Sequence, residues 1–297
     1  MNPSTTAVAT QRALIVQVRW GPLAGRKAIL LPGRTLRVGR AESMELAIAG
    51  DSALSEAHFE LTWDGERCQL RNLCGKTGTL LSGEFQQEGE VPHGAWVRAG
   101  TTNFSVYREA ETPAPHLEEP VIAETVDGKT RVLAQLRERS EPLFAVLDAS
   151  MDPRILVLLR ESVEECRSLY EGPQGDVLED VAPYLVSLPK ESRLLEALVR
   201  EGWGGNWGIF LTSSRPFHEV RRHFRKFLMV QDDEGRELYF RFYDPRVLRI
   251  FLTTCTPQQT EAFFEGISVY LMESDRFASL ACFKMQASVA HTEFIEQ

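Results

Sequence analysis

The chain of 297 residues has only 5 cysteines, and no two of them stand as Cys-x-x-Cys. Cys68, Cys74, Cys166, Cys255 and Cys282 are odd in number and scattered. That pattern argues against a disulfide framework or a cysteine zinc site, and they read as reduced thiols. No apolar run approaches the roughly 20 residues of a membrane span, so no membrane insertion is expected. Residues 1–10 have no basic segment ahead of an apolar one, so no secretory leader is read and a cytoplasmic location is expected. An excess of positive charge is missing too. The 33 Lys and Arg against 42 Asp and Glu leave a formal charge of −9. That balance argues against broad nucleic-acid binding, which depends on a basic surface displacing counterions from phosphates.

Catalytic motifs are equally scarce. The chain lacks a Gly-x-Ser-x-Gly elbow, a His-Glu-x-x-His helix and a glycine-rich phosphate loop. Asp148, His223, Arg241, Tyr243 and Asp244 are the concentrated polar candidates. Asp152-Pro153 and Asp244-Pro245 read first as helix starts, an N-cap followed by a first-turn proline. His223, beside Arg222, reads as a surface or capping residue. The expectation is a protein with no catalytic residues, no metal and no cofactor.

What is present is an ordinary globular composition, 43% hydrophobic and 25% charged, in a chain long enough for two cores. Residues 11–108 hold short strands separated by Gly and Pro turns, among them Ala13–Val18, Lys27–Leu31, Thr35–Val38, His58–Trp63 and Phe104–Tyr107. Such spacing, with no helical periodicity, predicts an all-β sandwich. Residues 109–129, rich in Pro and Glu, read as an extended linker. Residues 130–286 alternate strand and helix patterns, which predicts a mixed α/β (α+β) lobe. Leu143–Leu147 and Gly208–Thr212 are continuous apolar runs suited to buried strands. In Trp203-Gly-Gly-Asn-Trp207, a tight turn is expected with one tryptophan packed inward. Residues 287–297 read as a loosely held tail.

The most informative stretch is 216–252. Phe217, Val220, Phe224, Phe227 and Leu228 fall on one helical face, leaving Arg221, Arg222, Arg225 and Lys226 on the others. Asp232-Asp233-Glu234-Gly235 then supplies a turn between Leu228–Val230 and the alternating run Leu238–Tyr243. From Arg215 to Lys226 five cations oppose only Glu219. Arg221, Arg222 and Arg225, with Arg241 and Arg246, are therefore the candidate partner-binding residues.

Two resemblances follow from these residues. Leu36-Arg-Val-Gly39-Arg40, Asp51-Ser-Ala-Leu-Ser55-Glu-Ala-His58, Gly78-Thr79-Leu80-Leu81 and Gly94-Ala-Trp96-Val-Arg-Ala-Gly100 resemble the forkhead-associated domain. That resemblance implies a phosphothreonine pocket of Arg40, Ser55, Thr77, Gly78 and Thr79, with Gly39 and His58 supporting the binding loop. A planar guanidinium and short hydroxyl donors are what a phosphate dianion requires. Two positions depart from the family: Thr77 stands where Asn is usual, and Glu56 where a basic residue is common. The basic helix, the Phe240-Arg-Phe-Tyr-Asp-Pro-Arg246 segment, Leu143–Asp148, Ala182–Val186 and Trp207–Leu211 resemble the adaptor/chaperone family that loads effectors onto the type VI secretion spike. That implies an effector and a spike protein as partners, with a phosphothreonine protein as a further one. The alternative is a phosphopeptide-binding signalling scaffold that regulates the secretion system.

Overall fold

In the computed structural model, residues 12–75, 78–115, 123–231, 234–274 and 279–295 are described. The chain forms two compact units. The first runs to Pro113 and includes Arg160–Val163; the second comprises Ala114–Leu159 and Glu164–Gln297.

In the first unit, alternation builds two sheets. One has the order β2 (Lys27–Leu30), β1 (Leu14–Trp20), β11 (Thr102–Arg108), β10 (Trp96–Ala99), β7 (Thr79–Leu81), β8 (Glu84–Gln86). The other has the order β4 (Leu46–Ala47), β3 (Arg34–Gly39), β5 (Phe59–Trp63), β6 (Cys68–Asn72), β9 (Glu88–Glu90). Every second residue points inward: Leu14, Val16 and Val18 of β1, Leu36 and Val38 of β3, and Phe59, Leu61 and Trp63 of β5 form one buried core. Phe59 meets Phe104 edge-on at 5.5 Å, so the sheets touch through rings that favour this arrangement. The loops between β3 and β4, β4 and β5, and β6 and β7 are carried by this frame.

The second unit is a seven-stranded antiparallel sheet, counted among the described residues. Its order is β13 (Cys166–Ser168), β14 (Pro183–Leu188), β12 (Leu143–Asp148), β15 (Gly208–Thr212), β18 (Val269–Glu273), β19 (Leu280–Gln286), β20 (Val289–Ile295). All six residues of β12 are buried. Leu143, Ala145 and Leu147 enter a core with Val132, Leu136, Ile155 and Leu198, which belong to α1 (Ala123–Arg137), α2 (Pro153–Arg160) and α4 (Arg193–Gly202). Phe144 and Val146 enter a second core, with Phe224, Leu248 and Phe263 of α5 (Phe217–Arg225), α6 (Pro245–Thr254) and α7 (Pro257–Phe263). Helices thus cover both faces, which is why an antiparallel strand here reads as an unbroken apolar run instead of alternating. A short α3 (Gly172–Val177) precedes β14, and β16 (Met229–Gln231) pairs with β17 (Glu237–Tyr239) as a separate hairpin.

Four expectations are corrected. Helix α1 begins at Ala123, inside the span read as linker, because no proline interrupts the chain between Pro120 and Pro142. Residues 289–295 are strand β20, paired in full register with β19, where a tail was expected. Ala287 and Ser288, at φ 49° and 62°, make a two-residue turn with both central residues left-handed, a conformation that Asn-Gly usually announces. The alternation at 238–243 ends as strand at Tyr239, since Phe242 turns into the core and stacks on Phe224 at 5.2 Å. Both tryptophans of the 203–207 turn are buried, not one; a Cβ at Gly202 would lie 2.3 Å from the Trp207 ring.

Candidate functional site

Three loops of the first unit are sewn together by the backbone. The Arg40 N–H donates to the Ser55 carbonyl at 2.9 Å, and the Ala41 N–H to the Glu56 carbonyl at 3.1 Å. This seam needs glycine at position 39: a Cβ there would lie 2.1 Å from the Glu56 carbonyl oxygen, inside backbone that cannot yield. Gly39 is therefore a support of the loop, by close approach.

His58 bridges to the third loop. Its buried ring accepts the Ser55 N–H at Nδ1, 3.2 Å, and donates from Nε2 to the Gly78 carbonyl at 3.0 Å. Gly78 has φ +63°, which a side chain tolerates poorly, and a Cβ would meet the exposed Phe85 ring at 2.9 Å. Arg40 is exposed, and among the described residues its guanidinium has no hydrogen bond or ion pair. The half-buried Ser55 hydroxyl lies 2.8 Å from the Cys74 sulfur. Arg40 and Ser55 thus come together at an open surface, backed by Gly39, His58 and Gly78.

Thr79 does not join them. Its side chain is fully buried and its hydroxyl donates to Asn72 Oδ1 at 2.9 Å, locking the base of the loop. As the first residue of β7 it points inward, so its assignment to the ligand is corrected to a structural one. Thr77 lies outside the described residues.

Sequence reasoning missed two supports. Asn72 also donates to the Cys74 carbonyl at 2.7 Å. Buried Asp51 accepts Ala53 N–H, Thr101 N–H and the Thr102 hydroxyl, at 3.0, 2.8 and 2.7 Å, which ties the loop leading to Ser55 to the start of β11. Burial alone would raise the Asp51 pKa, but these donors outweigh it and the value is lowered. Asp51 was visible only as a loop residue, since two of its three donors lie some fifty positions away.

In the second unit the proposed partner-binding arginines are mostly occupied. Arg221 donates from Nε and Nη2 to the Ser168 carbonyl at 2.8 and 2.7 Å, and from Nη1 to Glu171 at 2.5 Å. Arg225 donates to the Leu169 carbonyl at 3.0 Å and pairs with the other Glu171 oxygen at 2.8 Å. Arg241 lies 2.5 Å from the buried carboxylate of Asp148, whose other oxygen accepts the Ser150 N–H and hydroxyl. Arg246 grips Asp244 through two contacts of 2.9 and 2.6 Å. Only Arg222 of the five is exposed without a partner among the described residues. The cationic face predicted to wait for a ligand is a clamp on the end of β13, because the Ser168 and Leu169 carbonyls and one acid, Glu171, lie within its reach.

Reversing Arg221 and Arg225 to Glu places three carboxylates together and strips two carbonyls of donors. We expect a loss of roughly 1–3 kcal/mol in denaturant unfolding, after allowance for solvent screening of these part-exposed pairs. An unchanged midpoint would overturn the clamp.

Asp148, Tyr243 and Asp244 have structural duties: Asp148 holds Arg241, Tyr243 is buried, and Asp244 caps α6 through the Arg246 N–H. His223 is not at the surface but buried among Phe224, Phe227 and Phe263. Its Nε2–H donates to the Phe263 carbonyl at 3.0 Å, and Nδ1 is buried without a hydrogen-bond partner among the described residues. Burial lowers its pKa, opposed by the Phe263 carbonyl and Glu265 and assisted by Lys226 and Arg215. Since the unfolded chain takes up the proton first, His223 contributes stability above the ordinary histidine value that is lost as pH falls through its depressed one. Glu273, pushed up to about 7 by burial, runs the other way: its contribution is present below 4.5 and lost as pH rises through about 7. The expected result is that His223→Phe lessens the acid loss between pH 6.5 and 5, by at most about 1.4 kcal/mol per pH unit. Urea titrations of both proteins across that range check it; parallel pH profiles would refute it.

Comparison with known proteins accords with this division. Residues 36–100 match the family described as FHA domain, and residues 143–262 match the Domain of unknown function (DUF4123). Among solved structures, similar chains include the FHA domain of the CT664 protein from Chlamydia trachomatis. It has 19% identity, covers 32% of this chain and 96% of that one, and has a TM-score of 0.30. The FHA domain of an Arabidopsis thaliana hypothetical protein is 24% identical over 36% of this chain and 92% of that one, with a TM-score of 0.31. Mycobacterium tuberculosis EmbR, solved with a low-affinity phosphopeptide, is 18% identical over 37% of this chain and 28% of that one, with a TM-score of 0.32. Comparison with curated proteins finds no match. The first unit is an FHA β-sandwich, and the second, mixed α/β unit contains the DUF4123 domain. Among the described residues no helix is long and apolar enough to cross a membrane.

Proposed function

We propose that this chain is a non-catalytic adaptor. Its FHA unit captures a phosphothreonine segment, and its α/β lobe holds a secreted effector for delivery to a type VI spike protein. The observation that carries the phosphate half is the open Arg40 guanidinium, fixed beside Ser55 by the backbone seam while Gly39 and His58 hold the loops beneath it. A dianion takes charge-assisted hydrogen bonds from such a group without breaking an existing ion pair. The adaptor half rests on the resemblance of residues 140–275, the span in which the DUF4123 match falls. With four of the five arginines occupied, the partner face moves to the β16–β17 hairpin, where Met229, Val230, Leu238 and Tyr239 are exposed, and to Arg222 beyond the helix clamp. Exposed apolar groups of this kind, beside a cation, suit a protein partner.

The free Arg40 also favours a second reading, a scaffold in which phosphopeptide recognition is primary. Affinity capture with the tagged full-length protein separates the two. A toxin or spike subunit that stays bound after phosphatase and to Arg40→Ala, and is lost from Leu238→Glu/Tyr239→Glu, supports the adaptor. A catch lost with phosphatase and with Arg40→Ala supports the scaffold.

A further inference from the structure

The charge around Arg40 is unusual for a site meant to receive an anion. Glu42 follows it by two residues and Glu56 follows Ser55, and both side chains are exposed. Neither has a hydrogen bond or ion pair among the described residues. Glu45, the other acid of this loop, is accounted for: Arg37 holds it through contacts of 3.0 and 2.8 Å and draws its pKa down to about 2. Among the described residues the loops therefore offer one uncommitted cation flanked by two uncommitted anions.

The seam places these charges. Arg40 N–H meets the Ser55 carbonyl and Ala41 N–H meets the Glu56 carbonyl, so Glu56 lies one residue beyond Ser55 along the same edge. A phosphothreonine held by Arg40 and Ser55 brings a charge of about −1.5 to −2 within a residue of that carboxylate. Screening at physiological salt acts over about 8 Å, so neighbours this close interact. The phosphate alone leaves the site with excess negative charge.

We infer that Glu56, assisted by Glu42, is a specificity-determining residue that selects phosphothreonine peptides carrying Lys or Arg beside the phosphothreonine and rejects those carrying Asp or Glu. A cationic neighbour pairs with the free carboxylate, while an acidic one adds repulsion, and selectivity is the difference between the two. This inference rests on the phosphothreonine reading of Arg40 and deepens it.

The test uses the full-length protein and synthetic phosphothreonine peptides that carry Ala, Lys or Glu singly at each of the three positions on either side. Fluorescence anisotropy reads the affinities. At one or more positions the Lys peptide is expected to bind about three- to tenfold tighter than the Glu peptide, an exposed pair being worth up to about fivefold and the repulsion adding to it. Raising the salt should shrink the gap. Glu56→Gln should narrow it and Glu56→Lys should reverse it, with melting unchanged because the side chain is exposed. Equal binding of Lys and Glu peptides by a protein that still needs Arg40 would overturn the selectivity and leave the pocket standing. Failure of every phosphopeptide to bind above its unphosphorylated form would overturn both.

Discussion

Arg40→Ala is expected to weaken phosphopeptide binding by roughly ten- to a hundredfold while leaving the thermal melt in place. A hydrogen bond to a charged group contributes about 1.5–3 kcal/mol, which converts to that range of affinity. Stability should hold, because the side chain is exposed and among the described residues makes no contact that folding depends on. The contrast is with Gly39→Ala next to it. That change drives a methyl group into the Glu56 carbonyl, so binding and stability should fall together. Calorimetric titration with one phosphothreonine peptide and its unphosphorylated form, paired with a thermal melt, distinguishes these outcomes. If Arg40→Ala costs less than about twofold, Arg40 does not carry the phosphate.

The second large effect is Phe263→Ala, expected to destabilise the α/β unit by about 3–5 kcal/mol, the range for emptying a buried aromatic site. The ring is fully buried and central to the aromatic core. Its centroid lies 4.9 Å from Tyr270, 5.1 Å from Phe227, 5.4 Å from Phe251 and 5.8 Å from Phe242. Its carbonyl accepts both His223 Nε2–H and the Tyr270 hydroxyl, at 3.0 and 2.6 Å, so the end of α7 fixes α5 and β18 as well as filling space. Truncation forfeits the ring contacts and loosens two buried polar groups. Against total stabilities of about 5–15 kcal/mol, that loss removes a large share. Urea unfolding should show a much lower midpoint, with Phe263→Leu intermediate because it leaves a smaller void. A loss below about 1 kcal/mol would show that the cluster collapses around the gap.

These expectations separate what the chain announces locally from what it does not. Helices α2 and α6 are plain in Asp152-Pro153 and Asp244-Pro245, because an N-cap and a first-turn proline act within a few residues. Each carboxylate does accept the N–H two positions on. The strands β12 and β15 are legible for a similar reason: residues buried on both faces leave a continuous apolar run. Strand β20 was not, since Ala287 and Ser288 adopt left-handed angles without the residues that usually signal them.

The candidate site divides in the same way. Gly39, Arg40, Ser55, His58 and Gly78 could be picked out because their motifs, in order and spacing, resemble the forkhead-associated domain, and that resemblance implies their roles. Which side chains remain open to a ligand could not. Thr79 and Asn72 are seven residues apart, and Arg221 reaches a carbonyl fifty-three positions away. Charge in a sequence says that a cation exists, and the fold says whether a carbonyl or carboxylate already holds it. The sequence by itself determined two domains, a β-sandwich ahead of a mixed lobe, since period, caps and turn residues act over short distances, while the phosphate-pocket candidates followed from the resemblance of their motifs to the forkhead-associated domain. The tertiary structure alone decided that Arg40 stays open while Arg221, Arg225, Arg241 and Arg246 are spent inside the lobe, because neutralising a charge depends on partners that only folding brings near.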